Sequence, residues 1–266
     1  MRITRVASRR PCVELPHNPA QDPSVVQPLT PSQRSGHRRH LATDGANLSL
    51  RAVARDAGLV PSALYRYFAS RDALLTALIT DAYEALAAAV EAAEGAVPRT
   101  DGGARWLAVC RAVRAWALDN PAEYALIYGS PVPGYAAPED TVSPASQVLL
   151  TLSGILFDSA GAGQHAVSLA QPLPAAVRED LARLTNHWPG ELPQGQGPSS
   201  PEAVLAMALT LWTQLFGLVS FEVFGRLNTM IDAREEYFDH QARVMAGLAG
   251  LATPPPHDAD GGIAPG

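Results

Sequence analysis

From Leu41 onward, apolar residues recur every three or four positions along the chain, which is the spacing of one face of an α-helix. No stretch of any length alternates apolar and polar residues with period two, and the chain contains no internal repeat. The sequence therefore predicts an all-α protein. Prolines interrupt the flanking residues 1–40 and 251–266, which are expected to be poorly structured. The helical part divides into a small domain at 41–85 and a larger one at 86–250.

Two short helices are predicted at the start of the helical part, in "LSLRAVARDAG" and "PSALYRYF". Ser49 suits the N-cap of the first helix and Gly58 its end, while Pro61 suits the first turn of the second. Leu64 and Phe68 are four residues apart and face the protein core. Two short helices joined by a tight turn form a candidate helix-turn-helix, whose second helix enters the major groove of DNA. A solvated helix pair inside a helical bundle is the alternative.

Helical periodicity leaves the aromatic and cationic side chains of the second helix on its outer surface. Tyrosine hydroxyls and arginine reach phosphate oxygens, and Arg66 or Ser62 can also reach base edges. Arg71, beside the start of the next helix, is placed for a further phosphate contact. The candidate DNA-contacting residues are Ser49, Pro61, Ser62, Ala63, Tyr65, Arg66, Tyr67 and Arg71.

Seven further helices are predicted after this motif. The first has Ser70 as its N-cap, buries an apolar side that includes Leu74 and Ile79, and runs to about Ala93. The others are expected at 104–119, from Pro121 to before Gly129, and at 144–158, 172–187, 201–227 and 232–250.

The formal charge is unevenly distributed along the chain. All twenty cationic side chains are arginine, and the net charge is −6. Residues 1–40 carry seven Arg against two acidic residues, a balance of +5; residues 41–80 carry four against three, a balance of +1; the remainder is therefore −12. A basic N-terminal segment on an otherwise acidic chain favours contact of that segment with nucleic acid.

Large aromatic side chains are spaced along the predicted helices of the larger domain. Such residues form either plain core or the wall of a pocket for a small apolar or amphipathic molecule. The candidate ligand-binding residues are Trp106, Trp116, Tyr124, Tyr128, Trp212 and Phe216, with Cys110, a small buried hydrophobe on the same helix face as Trp106.

The predicted helix at 201–227 is apolar almost all round, which exceeds the need of a one-sided surface helix. It is either the central helix of the domain or part of a subunit interface. Together with the helix at 232–250 it could form a four-helix bundle across a two-fold axis, with Phe216 and Leu218 as interface residues.

Several function classes find no support in the sequence. It contains no phosphate-binding glycine loop, no nucleophile elbow and no H-E-x-x-H motif, so neither an enzyme nor a bound cofactor is expected. His37 and His40 have helical spacing but no carboxylate or cysteine nearby, which favours a solvated basic segment over a metal site. No continuous apolar run of bilayer length and no signal peptide is present, so the expected location is the cytoplasm.

The stretch "LSLRAVARDAGLVPSALYRYFASRDALLTALI" resembles the DNA-binding segment of TetR-family transcriptional regulators. The matching elements are the Ala57–Gly58 turn, the Leu64–Phe68 motif (L-Y-x-[YH]-F) and the following "SRDALL". The segment "WALDNPAEYALIYGSPVPGYAAPED" resembles the WHG-like C-terminal domain of a TetR subgroup. The resemblance implies a homodimer that represses transcription from an inverted-repeat operator and is released when a small molecule binds its C-terminal domain.

Two features depart from the family pattern. Val60 stands where the family has Ser or Thr before the recognition helix, and valine cannot accept the N-cap hydrogen bond. The family also has an amphipathic first helix, whereas "PLTPSQRSGHRRH" offers Leu29 and almost no other apolar residue. A frame or start error in residues 1–40, or true loss of that helix, would explain the pattern. The alternative function is therefore a helical ligand-binding or interaction protein that has lost specific DNA binding.

Overall fold

A computed structural model shows the architecture of the larger domain. The residues that the structure describes are 70–138, 141–161, 172–186 and 200–255. The two short helices predicted before Ser70 and the tail after residue 255 lie outside these ranges.

Within the described residues the chain forms seven α-helices and no strand, which confirms the all-α prediction. All seven helices predicted after the helix-turn-helix motif are found. They are α1 (Arg71–Gly95), α2 (Gly102–Asp119), α3 (Pro121–Tyr128), α4 (Val142–Gly161), α5 (Ala175–Asn186), α6 (Pro201–Val223) and α7 (Arg234–Leu248).

Side-chain caps explain where two of these helices begin. The Ser70 hydroxyl accepts a hydrogen bond from the backbone N–H of Ala73 at 3.1 Å, as expected for the predicted N-cap of α1. The carboxylate of Asp101 accepts from the N–H of Ala104 at 2.8 Å, and α2 therefore starts at Gly102 rather than at residue 104.

The end of α6 differs from its prediction. The helix ends at Val223 instead of 227, because the chain turns at Gly225, which has φ of 71°. The N–H of Arg226 donates to the carbonyl of Phe221 at 2.7 Å, which satisfies a carbonyl of the last helical turn. A left-handed glycine therefore stops the helix although the apolar pattern continues to Leu227.

The core is built around α2 and α6. Helix α6 packs against α2, α4, α5 and α7, and α1 packs against α2, α3 and α4. Trp106, Val109, Cys110 and Val113 of α2 are fully buried, whereas Trp116 is only half-buried at the edge of the core. Helices α1 and α6 are long and apolar enough to cross a bilayer by composition alone, but about half of each lies inside this fold.

Every arginine of α2 is paired with a carboxylate on another helix. Arg105, only 2% exposed, donates to Glu94 at the end of α1 at 2.6 Å and to Asp158 at the end of α4 at 2.8 Å. Arg114 forms a bidentate salt bridge with Glu222 of α6, with N–O distances of 2.8 and 2.7 Å.

The third arginine of α2 connects it to α7. Arg111 donates to Asp239, which also accepts from Arg243 at 2.7 Å. Although partial burial favours the protonated carboxyl, the hydrogen bonds from Arg243 and Arg111 prevail and lower the pKa of Asp239. These pairs fix α2 relative to four of its neighbours.

The last described segment closes over the start of α2. A Cβ atom at Gly103 would overlap the carbonyl oxygen of Ala252, so a side chain at this position would displace the chain after α7. Leu251 is buried in the core beside this contact. The first turn of α2 is therefore covered on one side by the C-terminal segment.

Candidate functional site

The candidate DNA-contacting residues fall almost entirely outside the described part of the chain. Ser49, Pro61, Ser62, Ala63, Tyr65, Arg66 and Tyr67 all precede Ser70. Arg71 is described and is the first residue of α1. Its guanidinium is partly covered and lies 3.6 Å from the carboxylate of Asp72.

Four of the predicted ligand-binding residues meet in one place between α3 and α6. The ring of Tyr128 lies 4.3 Å from that of Phe216 and 5.2 Å from that of Tyr124, measured between centroids. The ring of Trp212 lies 5.6 Å from that of Phe216. Tyr83 of α1 completes the group, with its ring edge-on to Tyr128 at 6.0 Å. These five residues are called the aromatic cluster below.

The other predicted ligand-binding residues lie elsewhere. The indole N–H of Trp106 donates to the backbone carbonyl of Ala242 in α7 at 2.9 Å, so this ring belongs to the packing of α2 on α7. Cys110 is completely buried on the same side of α2, and burial raises the pKa of its thiol far above the usual range. Trp116 lies half-buried at the edge of the core. Plain core packing accounts for all three positions.

Sequence reasoning missed Tyr83. It lies four residues after Ile79 and seven before Val90, both buried residues of α1, and that spacing would have placed it on the inner side of the helix. Its contact with Tyr128 depends on how α1 packs on α3, which no spacing within α1 reveals.

The polar atoms of the aromatic cluster are unequally satisfied. The Tyr124 hydroxyl hydrogen-bonds Ser220 at 2.9 Å and donates to the carbonyl of Phe216 at 3.1 Å. Burial raises the pKa of Tyr124 to about 12, with the hydrogen bond to Ser220 acting in the opposite direction. Tyr83 donates to the carbonyl of Ile127 at 3.3 Å.

The Tyr128 hydroxyl and the Trp212 indole N–H, in contrast, are buried without a hydrogen-bond partner. Such groups normally have partners, and leaving one unpaired costs about 1–3 kcal/mol. The hydroxyl of Ser153 in α4 is a third buried group of this kind. Unpaired polar atoms are therefore a disadvantage for a simple core, and a bound molecule with an acceptor atom would supply the missing partner.

The aromatic cluster is bonded to α1, the helix that comes after the two predicted short helices and whose first part, residues 71–85, lies in the predicted DNA-binding domain. Besides the contacts of Tyr83 with Ile127 and Tyr128, the hydroxyls of Thr76 and Tyr135 are hydrogen-bonded at 2.9 Å. Helix α3 and the segment after it are thus attached to α1 at two separate points along its length.

Large apolar side chains are exposed on the last two helices and the turn between them. Phe221 is 57% exposed and Leu248 56% exposed, and Phe224, Met230 and Val244 are also exposed. Phe216 is 6% exposed and lies in the aromatic cluster, so the expectation that it forms a subunit interface is wrong; Leu218 is partly buried.

Comparisons with known proteins match both domains. The sequence model described as "Bacterial regulatory proteins, tetR family" matches residues 38–78, and the one described as "Tetracyclin repressor-like, C-terminal domain" matches residues 106–245. The HTH-type transcriptional regulator Rv1816 of Mycobacterium tuberculosis is 37% identical over 220 residues, which cover 80% of this chain and 88% of the relative. The HTH-type transcriptional regulator Mb1846 of Mycobacterium bovis has the same identity and coverage.

Two solved structures share the fold. The crystal structure of the protein SCO4313 has a TM-score of 0.60 and 32% sequence identity, covering 81% of this chain and 93% of that one. A protein of unknown function from Rhodococcus sp. RHA1 has a TM-score of 0.56 and 23% identity, covering 85% of this chain and 97% of that one, and supports the fold alone.

Proposed function

Since this chain belongs to the TetR family of helix-turn-helix transcriptional regulators, we propose that it is a repressor whose affinity for DNA is controlled by a small molecule. The effector is apolar or amphipathic and binds in the aromatic cluster. The observation that carries this proposal is the pair of unpartnered polar atoms on Tyr128 and Trp212, in a cluster bonded to α1.

The DNA-binding domain occupies residues 41–85 in this proposal, and the regulatory domain 86–250. The candidate DNA-contacting residues are those of the recognition helix and its surroundings: Ser49, Pro61, Ser62, Ala63, Tyr65, Arg66, Tyr67 and Arg71. The family match at 38–78 includes all of them, which supports the assignment. A regulator of transcription acts where the DNA is, so we place the protein in the cytoplasm.

The proposed regulator is a homodimer formed through α6 and α7. Phe221, Phe224, Met230, Val244 and Leu248 support this arrangement, because a second copy would remove their exposed apolar surface from water. A two-fold dimer presents two equivalent recognition helices, so the operator is an inverted repeat.

Effector binding is transmitted to DNA through α1. Tyr128 contacts both Phe216 in α6 and Tyr83 in α1, so a molecule that displaces the Tyr128 ring changes the packing of α1. Because residues 71–85 of α1 belong to the DNA-binding domain, a shift of α1 changes the distance or angle between the two recognition helices of the dimer.

The deciding experiment is selection of operators by the full chain from a pool of randomised duplex DNA, followed by affinity measurement at several salt concentrations. The proposal expects an inverted repeat, bound far more tightly than random DNA. Arg66→Ala should weaken binding and reduce its salt dependence.

The same experiment tests the alternative function, a helical ligand-binding or interaction protein without specific DNA binding. Val60 and the apolar-poor segment before residue 41 favour that alternative. If selection yields no consensus sequence and every duplex binds with equal, salt-sensitive affinity, the repressor proposal is refuted and the alternative stands.

A further inference from the structure

The unpartnered atoms of the aromatic cluster determine what a bound molecule must offer. The rings of Tyr128 and Trp212 both pack against the ring of Phe216, at 4.3 and 5.6 Å between centroids. An indole N–H can only donate a hydrogen bond. Burial, together with the neighbouring Tyr83 and Tyr124, raises the pKa of Tyr128 far above neutrality, so its hydroxyl keeps its proton and can donate as well.

The remaining polar groups of the cluster are already occupied. Tyr83 donates to Ile127, and Tyr124 is bonded to Ser220 and Phe216. A molecule bound in the cluster therefore meets two free donors and a surface of aromatic rings. It gains most if it carries an acceptor atom and an aromatic framework that packs on those rings.

The five side chains of the aromatic cluster carry no charge, which disfavours an ionic molecule. The three arginines of α2 are bound to carboxylates, Arg105 to Glu94 and Asp158, Arg111 to Asp239 and Arg114 to Glu222. None of these three is left to neutralise an anion, and burying an unpaired charge is costly. A cation would lose its hydration without finding an acceptor at Trp212, whose indole N–H can only donate.

We propose that the effector is an uncharged aromatic molecule with a hydrogen-bond acceptor, such as a ketone or ether oxygen, and that Tyr128 and Trp212 donate to it. This inference rests on the proposed function only in identifying the aromatic cluster as the effector site. It adds the chemical class of the effector and the two residues that select it.

The test uses three probes of nearly the same shape, with binding to the full chain measured by titration calorimetry. Benzophenone has a neutral carbonyl acceptor, diphenylmethane lacks the acceptor, and 4-benzoylbenzoate adds a negative charge. We expect benzophenone to bind about five- to tenfold more tightly than diphenylmethane, the ratio that a net neutral hydrogen bond provides. The benzoate should bind more weakly than benzophenone.

Two variants localise the preference, and a third is the matched control. Tyr128→Phe and Trp212→Phe should each reduce the ratio of benzophenone to diphenylmethane affinity several-fold, since each removes one donor and keeps an aromatic ring. Tyr237→Phe on α7 removes a tyrosine hydroxyl outside the cluster and should leave the ratio unchanged.

Thermal unfolding separates this effect from damage to the fold. Tyr128→Phe should not lower the midpoint, because the hydroxyl that it removes is unpartnered, whereas Tyr124→Phe should lower it. The proposal is overturned if no probe binds, if diphenylmethane or the benzoate binds as tightly as benzophenone, or if Tyr128→Phe and Trp212→Phe leave the preference intact.

Operator binding without any probe is measured in parallel. A failure of the probe series with intact operator binding would reject the effector class and leave the regulator proposal standing. If operator binding is lost while the preference for benzophenone remains, the regulator proposal is rejected and the effector class stands.

Discussion

Two tryptophans of the same domain differ in whether their buried indole N–H groups have a hydrogen-bond partner. On the side where α2 meets α7, Trp106 is fully buried and its indole N–H donates to Ala242 at 2.9 Å. On the side where α3 meets α6, the indole N–H of Trp212 is also buried but has no partner. The first arrangement stabilises the fold, and the second costs free energy unless something else completes it.

Two tyrosines of α3 repeat this contrast within a single helix. Tyr124 has two hydrogen-bond partners in α6, and Tyr128, one turn later, has none for its hydroxyl. Burial alone therefore does not distinguish core from binding site here. Hydrogen-bond satisfaction does, and it divides the domain into a framework of paired side chains around α2 and an incompletely paired aromatic cluster, with Ser153 of α4 as an unpaired group outside the cluster.

The largest effect should come from breaking the framework at Arg105. Arg105→Ala leaves the carboxylates of Glu94 and Asp158 without their buried partner, so we expect a loss of about 2–4 kcal/mol in the free energy of unfolding, somewhat below the value for a completely buried pair. Urea unfolding measures it. Arg183→Ala, which breaks an exposed pair with Asp180, is the control and should change stability by less than about 1 kcal/mol. Equal losses in the two variants would mean that the buried Arg105 pairs stabilise the fold no more than an exposed surface pair does.

The two tyrosines of α3 allow the same substitution to be compared within one helix, with stability changes of intermediate size. Tyr124→Phe removes a hydroxyl with two partners and should cost about 1–2 kcal/mol. Tyr128→Phe removes an unpartnered hydroxyl and should change stability by less than about 0.5 kcal/mol or increase it. Both are measured by urea unfolding of the full chain. A loss for Tyr128→Phe as large as that for Tyr124→Phe would contradict the division between framework and aromatic cluster.

The distinction between the framework around α2 and the aromatic cluster could be predicted from the sequence only in part. Helical spacing located all seven described helices, including α5, in which Leu181 is the only buried residue among the described side chains, and it selected four members of the aromatic cluster. It could not separate Trp106 from Trp212, since the partner of Trp106 is a backbone carbonyl 136 residues away that only the packing of α7 brings near. Local chemistry also ended α6 earlier than its apolar pattern suggested, through the left-handed Gly225.

The connection between the aromatic cluster and α1 can be weakened without disturbing either. Tyr135→Phe removes the hydrogen bond to Thr76, so α1 should follow a change at α3 less closely. On the proposed function, benzophenone should bind the variant as before, while its effect on operator affinity falls about two- to threefold. The ratio of operator affinities with and without benzophenone is the measurement. Tyr237→Phe on α7 is the control, and an equal effect in both variants would refute the role of this bond.

The smallest effect concerns the framework pair at Asp239. Because Arg243 and Arg111 lower its pKa in the folded state, this carboxylate adds stability above the pKa of the unfolded chain, about 3.9, and loses that contribution as the pH falls through its folded pKa. Asp239 is partly exposed, so we expect Asp239→Asn to lose only about 0.5 kcal/mol at pH 7. In urea unfolding the difference from the natural chain should shrink below about pH 4. Asp180→Asn, at an exposed pair outside the framework, is the comparison. If the difference in the free energy of unfolding between Asp239→Asn and the natural chain stays constant from neutral to acid pH, Asp239 acts through packing instead of its charge.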